Sequence, residues 1–246
     1  MIANIPQIAA DSVPQLTTEQ MIEVDRAMVE DYGIQLIQMM ENAGRNLARL
    51  VVKRSLAERP ENAQVVVLAG SGGNGGGALV AARRLHAWGA HVEVALTKSP
   101  EAMVGVPRHQ LDIVRRLGIA VDDAKTPASG ADVIIDGVLG YSLQGAPRGR
   151  AATLLDWANT QEAEKISLDV PSGIDTTTGQ IFAPAIVANA TLTLALPKQG
   201  LFASAAQRHV GELYLGDISV PPQLYRQLGL DIAADLFATS DFIQLR

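Results

Sequence analysis

The residues of this chain that could do chemistry lie in three short segments, each directly after an apolar run. The first is the glycine-rich segment 70–77 (GSGGNGGG), in which Gly70, Gly72 and Gly75 fit the pattern G-x-G-x-x-G. Between a strand and a helix, such glycines let backbone N–H groups approach an anion, and the helix N-terminus adds a favourable dipole. We therefore predict a phosphate site here, with a flexible strand–helix turn as the alternative.

The other two segments each place an aspartate at the end of an apolar run. Asp136 ends DVIID (132–136), and Asp169 ends ISLD (166–169) before a Pro-Ser-Gly turn. Because ligands bind at the carboxyl ends of the strands in an open α/β sheet, both side chains are expected in that crevice. Burying an unpaired carboxylate is costly, so we infer a cation or a polar ligand between them, with capping of a loop as the alternative for Asp136.

The residues around these segments exclude several familiar sites. The strand after the glycines ends LTK (96–98), without the carboxylate that binds the ribose in an ordinary dinucleotide dehydrogenase. No lysine follows the glycines as it would in a P-loop. Ser172 lies outside a G-x-S-x-G pattern and has no His close in sequence, which argues against a hydrolase nucleophile. The 4 histidines are expected to be structural or surface residues.

Composition narrows the class of protein further. The chain has 246 residues, of which 48% are hydrophobic, and a formal net charge of −6. This apolar content predicts a folded core, and the charge gives no general attraction to nucleic acid or to an anionic membrane. The absence of cysteine excludes disulfides, thiolate metal sites and cysteine nucleophiles. No apolar run reaches the ~18 residues of a membrane span and the N-terminus lacks a signal-peptide pattern, so we expect a cytoplasmic protein.

Two helices are predicted before the first strand. Thr17 and Gln20 have the spacing of a capping box, which predicts a helix from there to about Tyr32, ended by Gly33. Apolar residues then recur at helical spacing, which predicts a second helix over about 36–50. They are Leu36, Met40, Ala43, Leu47 and Leu50.

From Gln64 onward, strands alternate with helices. Strands are predicted at 64–69, 91–96, 132–136, 166–169, 190–196 and 211–215, and helices at 78–88, 105–117 and 150–159. This alternation predicts βαβ units and a mainly parallel sheet that is covered on both faces. We expect an N-terminal arm over residues 1–15 and a single domain over 16–246. The aromatic residues of the tail, Phe237 and Phe242, are expected to pack back on the domain or to meet a second subunit.

The order of the motifs resembles a known family. After the glycine segment come VIIDGVLGYSLQG (133–145), SLDVPSGIDTTTG (167–179) and ATLTLALPKQGLF (190–202). MMENAG lies upstream and VGELYLGDISVP downstream. This order is similar to that of the NAD(P)HX epimerases, the YjeF N-terminal domain family, over about residues 15 to 220. The segment D-x-PSG-x-D-x-x-x-G at 169–179 is the most specific part of the match.

The resemblance implies a Rossmann-like three-layer α/β/α sandwich that forms a homodimer. The implied activity is that of an isomerase, which interconverts the R and S epimers at the hydroxylated C6 of hydrated NADH and NADPH. A separate ADP- or ATP-dependent dehydratase would then complete this metabolite repair. The implied cofactor is a potassium ion with Asn74, Asp136 and Ser172 as oxygen ligands, the donor type that such a cation prefers.

The resemblance also implies which residues contact the substrate. They are Gly73, Asn74, Gly75, Gly76, Gly77, Gly140, Tyr141, Ser142, Leu143, Gln144, Gly145, Ala146 and Asp169. For Asp169 we add the hypothesis that it transfers a proton, because it lies at the crevice and no His is expected there.

One departure from the family pattern leaves alternatives open. The family loop usually reads NNGGDG, and this chain has Gly73, Gly77 and Ala78 in place of its first Asn, its Asp and its last Gly. The loss of the loop carboxylate favours a second hypothesis, a non-catalytic nucleotide-binding or scaffold protein on the same fold. The retained potassium ligands and Asp169 favour catalysis. A third hypothesis is an isomerase or transferase that acts on a different nucleotide.

Overall fold

The computed structural model describes residues 5–143 and 145–246 as a sequence of short strands and helices. The strands are β1 (Gln7–Ile8), β2 (Gln64–Ala69), β3 (His91–Leu96), β4 (Ala120–Asp122), β5 (Val133–Gly137), β6 (Glu164–Leu168), β7 (Ala190–Leu194), β8 (Glu212–Gly216) and β9 (Phe242–Leu245). The α-helices are α1 (Thr18–Glu30), α2 (Leu36–Leu50), α3 (Gly73–Ala87), α4 (Gly105–Arg116), α5 (Gly149–Thr160), α6 (Gln207–Val210) and α7 (Pro222–Gln227). A π-helical turn over Val51–Ser55 continues α2.

All nine strands form one sheet in the order β1-β9-β8-β7-β6-β5-β2-β3-β4. Neighbouring strands are parallel except for β8 and β9, which are antiparallel. From β2 the chain runs outward through β3 to β4 and then returns to the other side of β2 with β5. The order therefore reverses between β2 and β5, which is where open α/β sheets form their ligand crevice.

Helices cover both faces of the sheet, so the predicted mainly parallel α/β fold with three layers is confirmed. Strand β2 shows how the layers are built, because its residues alternate between two buried sides. Val65 and Val67 pack in a cluster with α2, α3 and α4, whereas Val66 and Leu68 pack in a cluster with α5. A third apolar cluster joins α1 and α7 to Leu213 on β8. No helix among the described residues combines the length and hydropathy needed to cross a bilayer.

The six predicted strands all exist, with ends that differ by up to two residues. The sequence analysis missed three short strands at the two edges of the sheet: β1, β4 and β9. The tail returns to the domain through β9, in which Phe242 is buried and meets Tyr214 edge to face at a ring-centre distance of 6.5 Å. Part of the predicted N-terminal arm forms β1, which pairs with β9.

The prediction for the start of α3 was wrong, since the helix begins at Gly73 and not at Ala78. Glycine is a poor helix former, so the sequence predicts a turn over the segment 70–77. Here the close packing of α3 on its neighbours outweighs that propensity. A Cβ on Gly75 would lie 1.8 Å from the carbonyl oxygen of Gly70, and one on Gly76 would lie 2.3 Å from the sulfur of Met40.

The N-terminal helices are positioned by a capping box and by contacts with distant segments. The capping box is present, because Thr17 accepts a bond from the Gln20 backbone and the Gln20 side chain accepts one from the Thr17 backbone. Helix α1 is then joined to a distant segment, since the Thr18 hydroxyl lies 2.6 Å from that of Thr176 and 2.8 Å from that of Thr177. Gly44 of α2 lets that helix approach α3, because its Cβ would lie 2.4 Å from the Gly77 carbonyl oxygen.

We predict that Gly75→Ala destabilises the protein by about 1–3 kcal/mol, because the added methyl group would overlap backbone that cannot move away. The free energy of unfolding in urea measures this change. The matched control is Gly73→Ala in the same helical turn, where an added Cβ meets nothing within 4 Å. The free energy of unfolding of the control should differ from that of the wild type by less than about 1 kcal/mol. Equal stabilities for the two variants would contradict the close approach.

Candidate active site

A cavity of about 80 Å³ lies at the carboxyl ends of the strands. Its walls are largely apolar, with Met21 from α1 and Met39 and Met40 from α2. Its polar lining residues are Asp25, Asn74, Tyr141 and Asp169. A larger, open groove of about 910 Å³ lies between Arg49, Trp88 and Phe237, but none of its lining residues comes from the three segments singled out in the sequence.

Asp136 is buried beside the cavity and is bonded from several sides. Its carboxylate accepts the Ser172 hydroxyl at 2.6 Å, the Ser172 backbone N–H at 2.9 Å and the Ser167 hydroxyl at 2.9 Å. Burial raises the pKa of Asp136, and these hydrogen bonds oppose the rise only in part. No ion pair found among the described residues includes Asp136. It is therefore a buried carboxyl group with hydrogen-bond partners but without a cationic one.

Asn74 joins the glycine segment to the same group of oxygens. Its side-chain amide donates to the carbonyl oxygens of Leu139 at 3.0 Å and Leu168 at 2.8 Å. The Leu139 N–H in turn donates to the Ser172 hydroxyl at 2.9 Å. The three residues predicted as potassium ligands are therefore brought together. Gly140 belongs to this arrangement, because a Cβ there would lie 2.8 Å from the Asn74 side chain.

Asp169 lies on the other side of the cavity floor in an ion pair with Lys198. Both side chains are buried, and the Lys198 ammonium donates to Asp169 and, at 2.8 Å, to the Leu194 carbonyl oxygen. Asp169 has a φ of 66°, a left-handed conformation that is uncommon for a residue other than glycine. This turn directs the carboxylate toward Lys198, which follows β7, while the Asp169 backbone still donates to Leu192 of that strand.

A second carboxyl group, that of Asp25, lines the same cavity. Asp25 projects from α1 and accepts a hydrogen bond from the Tyr141 hydroxyl. Burial raises the pKa of Asp25, and the negative charge of Asp169 raises it further. The hydrogen bond from Tyr141 has the opposite effect on this pKa. Burial and the charge of Asp25 also raise the pKa of Tyr141. The cavity thus holds two carboxyl groups in different surroundings, one paired with a lysine and one with a phenol.

The structure distributes the predicted substrate contacts unevenly. Gly73, Asn74, Tyr141 and Asp169 line the cavity. The next three glycines are buried in α3, and the loop residues beyond Tyr141 are outside the cavity lining. The buried glycines of α3 are Gly75, Gly76 and Gly77. The loop residues outside the lining are Ser142, Leu143, Gly145 and Ala146. Gln144 is outside the described residues, so its predicted contact has no structural counterpart here.

The sequence analysis missed two residues of the site: Asp25, which lines the cavity, and Lys198, which is buried and paired with Asp169. Asp25 lies four residues after Met21 and three before Met28, so its carboxyl group is on the apolar face of α1. That pattern was a usable signal. Lys198 lies in the PKQ segment after an apolar strand, but nothing in the sequence showed that this lysine would be fully buried against Asp169.

Within residues 5–143 and 145–246, no three or more Asp, Glu or His side chains form a group that could hold a metal ion. This does not conflict with the oxygen cluster around Asp136, because that cluster is made mainly of hydroxyl, amide and backbone oxygens. The fold and the site together define a doubly wound α/β protein with a small carboxylate-containing cavity at its topological switch point.

Comparison with known proteins places the chain in a family. Residues 36–200 match the family model described as YjeF-related protein N-terminus, and the chain belongs to that family. The chain is 43% identical to the NAD(P)H-hydrate epimerase of Dehalogenimonas lykanthroporepellens, over 89% of this chain and 87% of the relative. It is 33% identical to the protein of the same name from Rhodopirellula baltica, over 89% of each chain.

Two further comparisons concern domain content and fold. The chain is 36% identical to the bifunctional NAD(P)H-hydrate repair enzyme Nnr of Pyrobaculum aerophilum, over 85% of this chain and 42% of that protein. It therefore spans less than half of the bifunctional relative. The crystal structure of the yeast protein ynu0 superposes with a TM-score of 0.77 and 22% identity, over 95% of this chain and 100% of that one, which supports the fold.

We predict that Lys198→Met lowers the free energy of unfolding by about 3–5 kcal/mol, because it leaves the buried Asp169 carboxylate without its cation. Urea unfolding near neutral pH measures the loss. The double variant Lys198→Met/Asp169→Asn should be more stable than Lys198→Met alone, since no uncompensated charge remains. A double variant that is less stable than the single one would show that the lysine acts mainly through packing.

Proposed function

We propose that this protein is an NAD(P)H-hydrate epimerase, an isomerase that interconverts the R and S forms of hydrated NADH and NADPH. The observation that carries the proposal is the placement of Asp169 in an apolar cavity beside Asn74, in a chain that is 43% identical to a relative with this name. The cavity lies where the fold places its ligands, and its walls keep most water away from the reacting carbon.

The chemistry requires proton transfer to the oxygen that leaves C6 and from the oxygen that adds to it. In the hydrate, C6 of the ring carries a hydroxyl group and is bonded to N1. Epimerisation can proceed by breaking the C6–O bond: the hydroxyl leaves as water after receiving a proton, and the N1 lone pair forms a double bond to C6. Water then adds to the opposite face of C6 and gives up a proton. The site must therefore give a proton to the leaving hydroxyl and accept one from the adding water, and no redox step is needed.

Asp169 is the group that we assign to this transfer. Its carboxylate lines the cavity and is held in place by the Lys198 ammonium, and a carboxylate can accept a proton from the adding water. The negative charge also stabilises the cationic ring that forms when the hydroxyl leaves. Lys198 holds Asp169 in place and is a positioning residue, because it is fully buried behind the carboxylate and is not among the residues that line the cavity.

The residues present fit a potassium ion. Asn74, Asp136 and Ser172 bring an amide, a carboxylate and a hydroxyl group together, and the buried Asp136 is not included in any ion pair found among the described residues. Such oxygens suit a large, weakly hydrated cation. Bound there, potassium would supply positive charge and hold the glycine segment against the loop at Leu139. The protein's own contribution is to keep these oxygens fixed at the edge of the cavity.

The remaining parts of the proposal concern partners. We expect the first turn of α3 to bind a phosphate of the substrate, because Gly73 at the start of this helix lines the cavity and a helix N-terminus favours an anion. We also expect a homodimer, a cytoplasmic location and a separate ADP- or ATP-dependent dehydratase that consumes the S epimer. The contacts assigned to the other predicted substrate residues stay predictions.

One observation supports a second candidate, a nucleotide-binding protein without catalysis. Gly77 replaces the family's loop aspartate, and a Cβ at this position would lie 2.7 Å from the Leu168 side chain. The chain therefore has neither the carboxylate nor free space for one in this conformation. The two candidates differ in turnover and not in ligand binding, which makes an activity assay decisive.

We predict that the protein accelerates recovery of NADH from R-NADHX when an S-specific dehydratase is present. Asp169→Asn should lower this rate by about 10²-fold or more, because the amide cannot accept the proton. The measurement is the coupled rate above the uncatalysed background. No acceleration by a wild-type protein whose melting temperature still rises with NADH would favour the binding protein, and full activity of Asp169→Asn would remove that residue from the mechanism.

We predict that KCl raises the melting temperature more than LiCl at the same ionic strength, because an ion that binds only the folded state stabilises it. For a chain of this size each 1 kcal/mol corresponds to about 2–4 °C. Asp136→Asn should abolish the difference between the two salts. The same melting temperature in KCl and LiCl for the wild type would contradict a potassium site.

A further inference from the structure

Epimerisation by loss and return of water needs proton transfer on both faces of the ring. The leaving hydroxyl and the adding water are on opposite sides of C6, so a single rigid carboxyl group cannot contact both oxygens in one orientation of the substrate. The ion pair with Lys198 suits Asp169 to the accepting role. A complete site then needs a second group that starts with a proton and faces Asp169.

Asp25 meets this need by its position. It lines the same cavity as Asp169 but comes from a different element, since it belongs to α1 whereas Asp169 follows β6. Its carboxyl group is held by the Tyr141 hydroxyl, and the Tyr141 carbonyl oxygen accepts a bond from the Thr176 hydroxyl at 3.3 Å. Because Thr176 also bonds α1 through Thr18, the same segment fixes both members of the Asp25–Tyr141 pair.

Two charged groups act on Asp25: Asp169 raises the pKa of Asp25 and Lys198 lowers it. From α2 the cavity-facing side chains are apolar, as are Leu224 and the ring of Tyr225 that α7 adds to the cluster beneath α1.

The charged residues of α1 that are next to Asp25 in the sequence form ion pairs with one another. Arg26, the next residue after Asp25, forms ion pairs with Glu23, Glu30 and Asp31. No ion pair found among the described residues includes Asp25, and burial raises its pKa above that of an ordinary aspartate. The two carboxyl groups of the cavity thus have different partners, a lysine for Asp169 and a phenol for Asp25, and two carboxyl groups in different surroundings are the usual arrangement for an acid and a base in one site.

We propose that Asp25, oriented by Tyr141, is the second proton-transferring residue of the site and acts on the face of the ring opposite to Asp169. This rests on the proposed epimerase function. The Asp25 carboxyl gives its proton to the C6 hydroxyl, the C6–O bond breaks, and water leaves as N1 and C6 form a double bond. Water adds to the other face, its proton passes to the Asp169 carboxylate, and the electron pair returns to N1. The two carboxyl groups regain their protonation states by exchange with water after product release.

The test is the pH dependence of kcat and KM for R-NADHX with wild-type protein and Asp25→Asn. The wild-type rate should fall on the alkaline side as Asp25 loses its proton. Asp25→Asn should lower kcat by about 10²–10³-fold, which is the usual contribution of general acid catalysis, and should remove that alkaline fall. KM should stay within about threefold, because the amide preserves the shape of the cavity wall.

Tyr141→Phe gives an independent reading of the same group. The Tyr141 O–H donates to the Asp25 carboxylate and lowers its pKa, so removing the hydroxyl should raise that pKa. The alkaline fall of kcat should then move to higher pH, with substantial activity retained at neutral pH. The matched control is Glu19→Gln, which changes an exposed carboxylate on the same helix and should leave the pH dependence of kcat unchanged.

The outcomes separate this inference from the proposed function. An active wild type together with Asp25→Asn that keeps both its kcat and its alkaline limb overturns the role of Asp25 alone. An alkaline limb that does not move in Tyr141→Phe overturns it equally, and that variant decides the question if Asp25→Asn does not fold. A wild type without epimerase activity overturns the proposed function and this inference with it.

Discussion

The buried ion pair between Asp169 and Lys198 is the constraint on which the arrangement of the site depends. Removing two charges from water costs several kcal/mol per ion, and their attraction offsets this only when geometry and further hydrogen bonds are favourable. Lys198 meets the requirement by also donating to the Leu194 carbonyl oxygen. Asp169 makes this ion pair from a left-handed backbone conformation. The ion pair therefore adds to the backbone hydrogen bonds between β6 and β7 and fixes the segments that follow these two strands relative to each other.

The segment after Asp169 connects the ion pair to the rest of the site through hydrogen bonds. Ser172 donates to the buried Asp136, which joins the end of β5, and the threonines at 176 and 177 bond the start of α1. Asp175 lies between them, and although burial alone would raise its pKa, hydrogen bonds from Thr178 and Thr177 outweigh that effect and lower it. This aspartate of the D-x-PSG-x-D pattern thus stabilises a turn. The neighbouring bonds bring Asp25 of α1 to face Asp169.

The glycine segment illustrates how one pattern can serve two physical requirements. The G-x-G-x-x-G spacing was read as a site where backbone N–H groups meet an anion, and Gly73 does reach the cavity mouth. Most of the other glycines are needed because a side chain would not fit: Gly70 against Val138, Gly75 against Gly70 and Gly77 against Leu168. Tight packing of α3 also explains why the helix begins inside the segment. A glycine pattern in a sequence therefore indicates close approach, and the structure decides what approaches.

The sequence by itself determined the alternation of strands and helices, the mainly parallel sheet and the positions of Asp136 and Asp169 at strand ends. These features depend on local periodicity and on apolar runs, which are visible along the chain. Only the tertiary structure decided the edge strands, whose few residues carry little pattern, and the start of α3. The tertiary structure also decided that Lys198 and Asp25 belong to the site. Lys198 is 29 positions from Asp169 in the sequence and Asp25 is 144 positions from it, and only folding brings the three side chains together. Electrostatic interactions act through space, so their partners cannot be found from spacing along the chain.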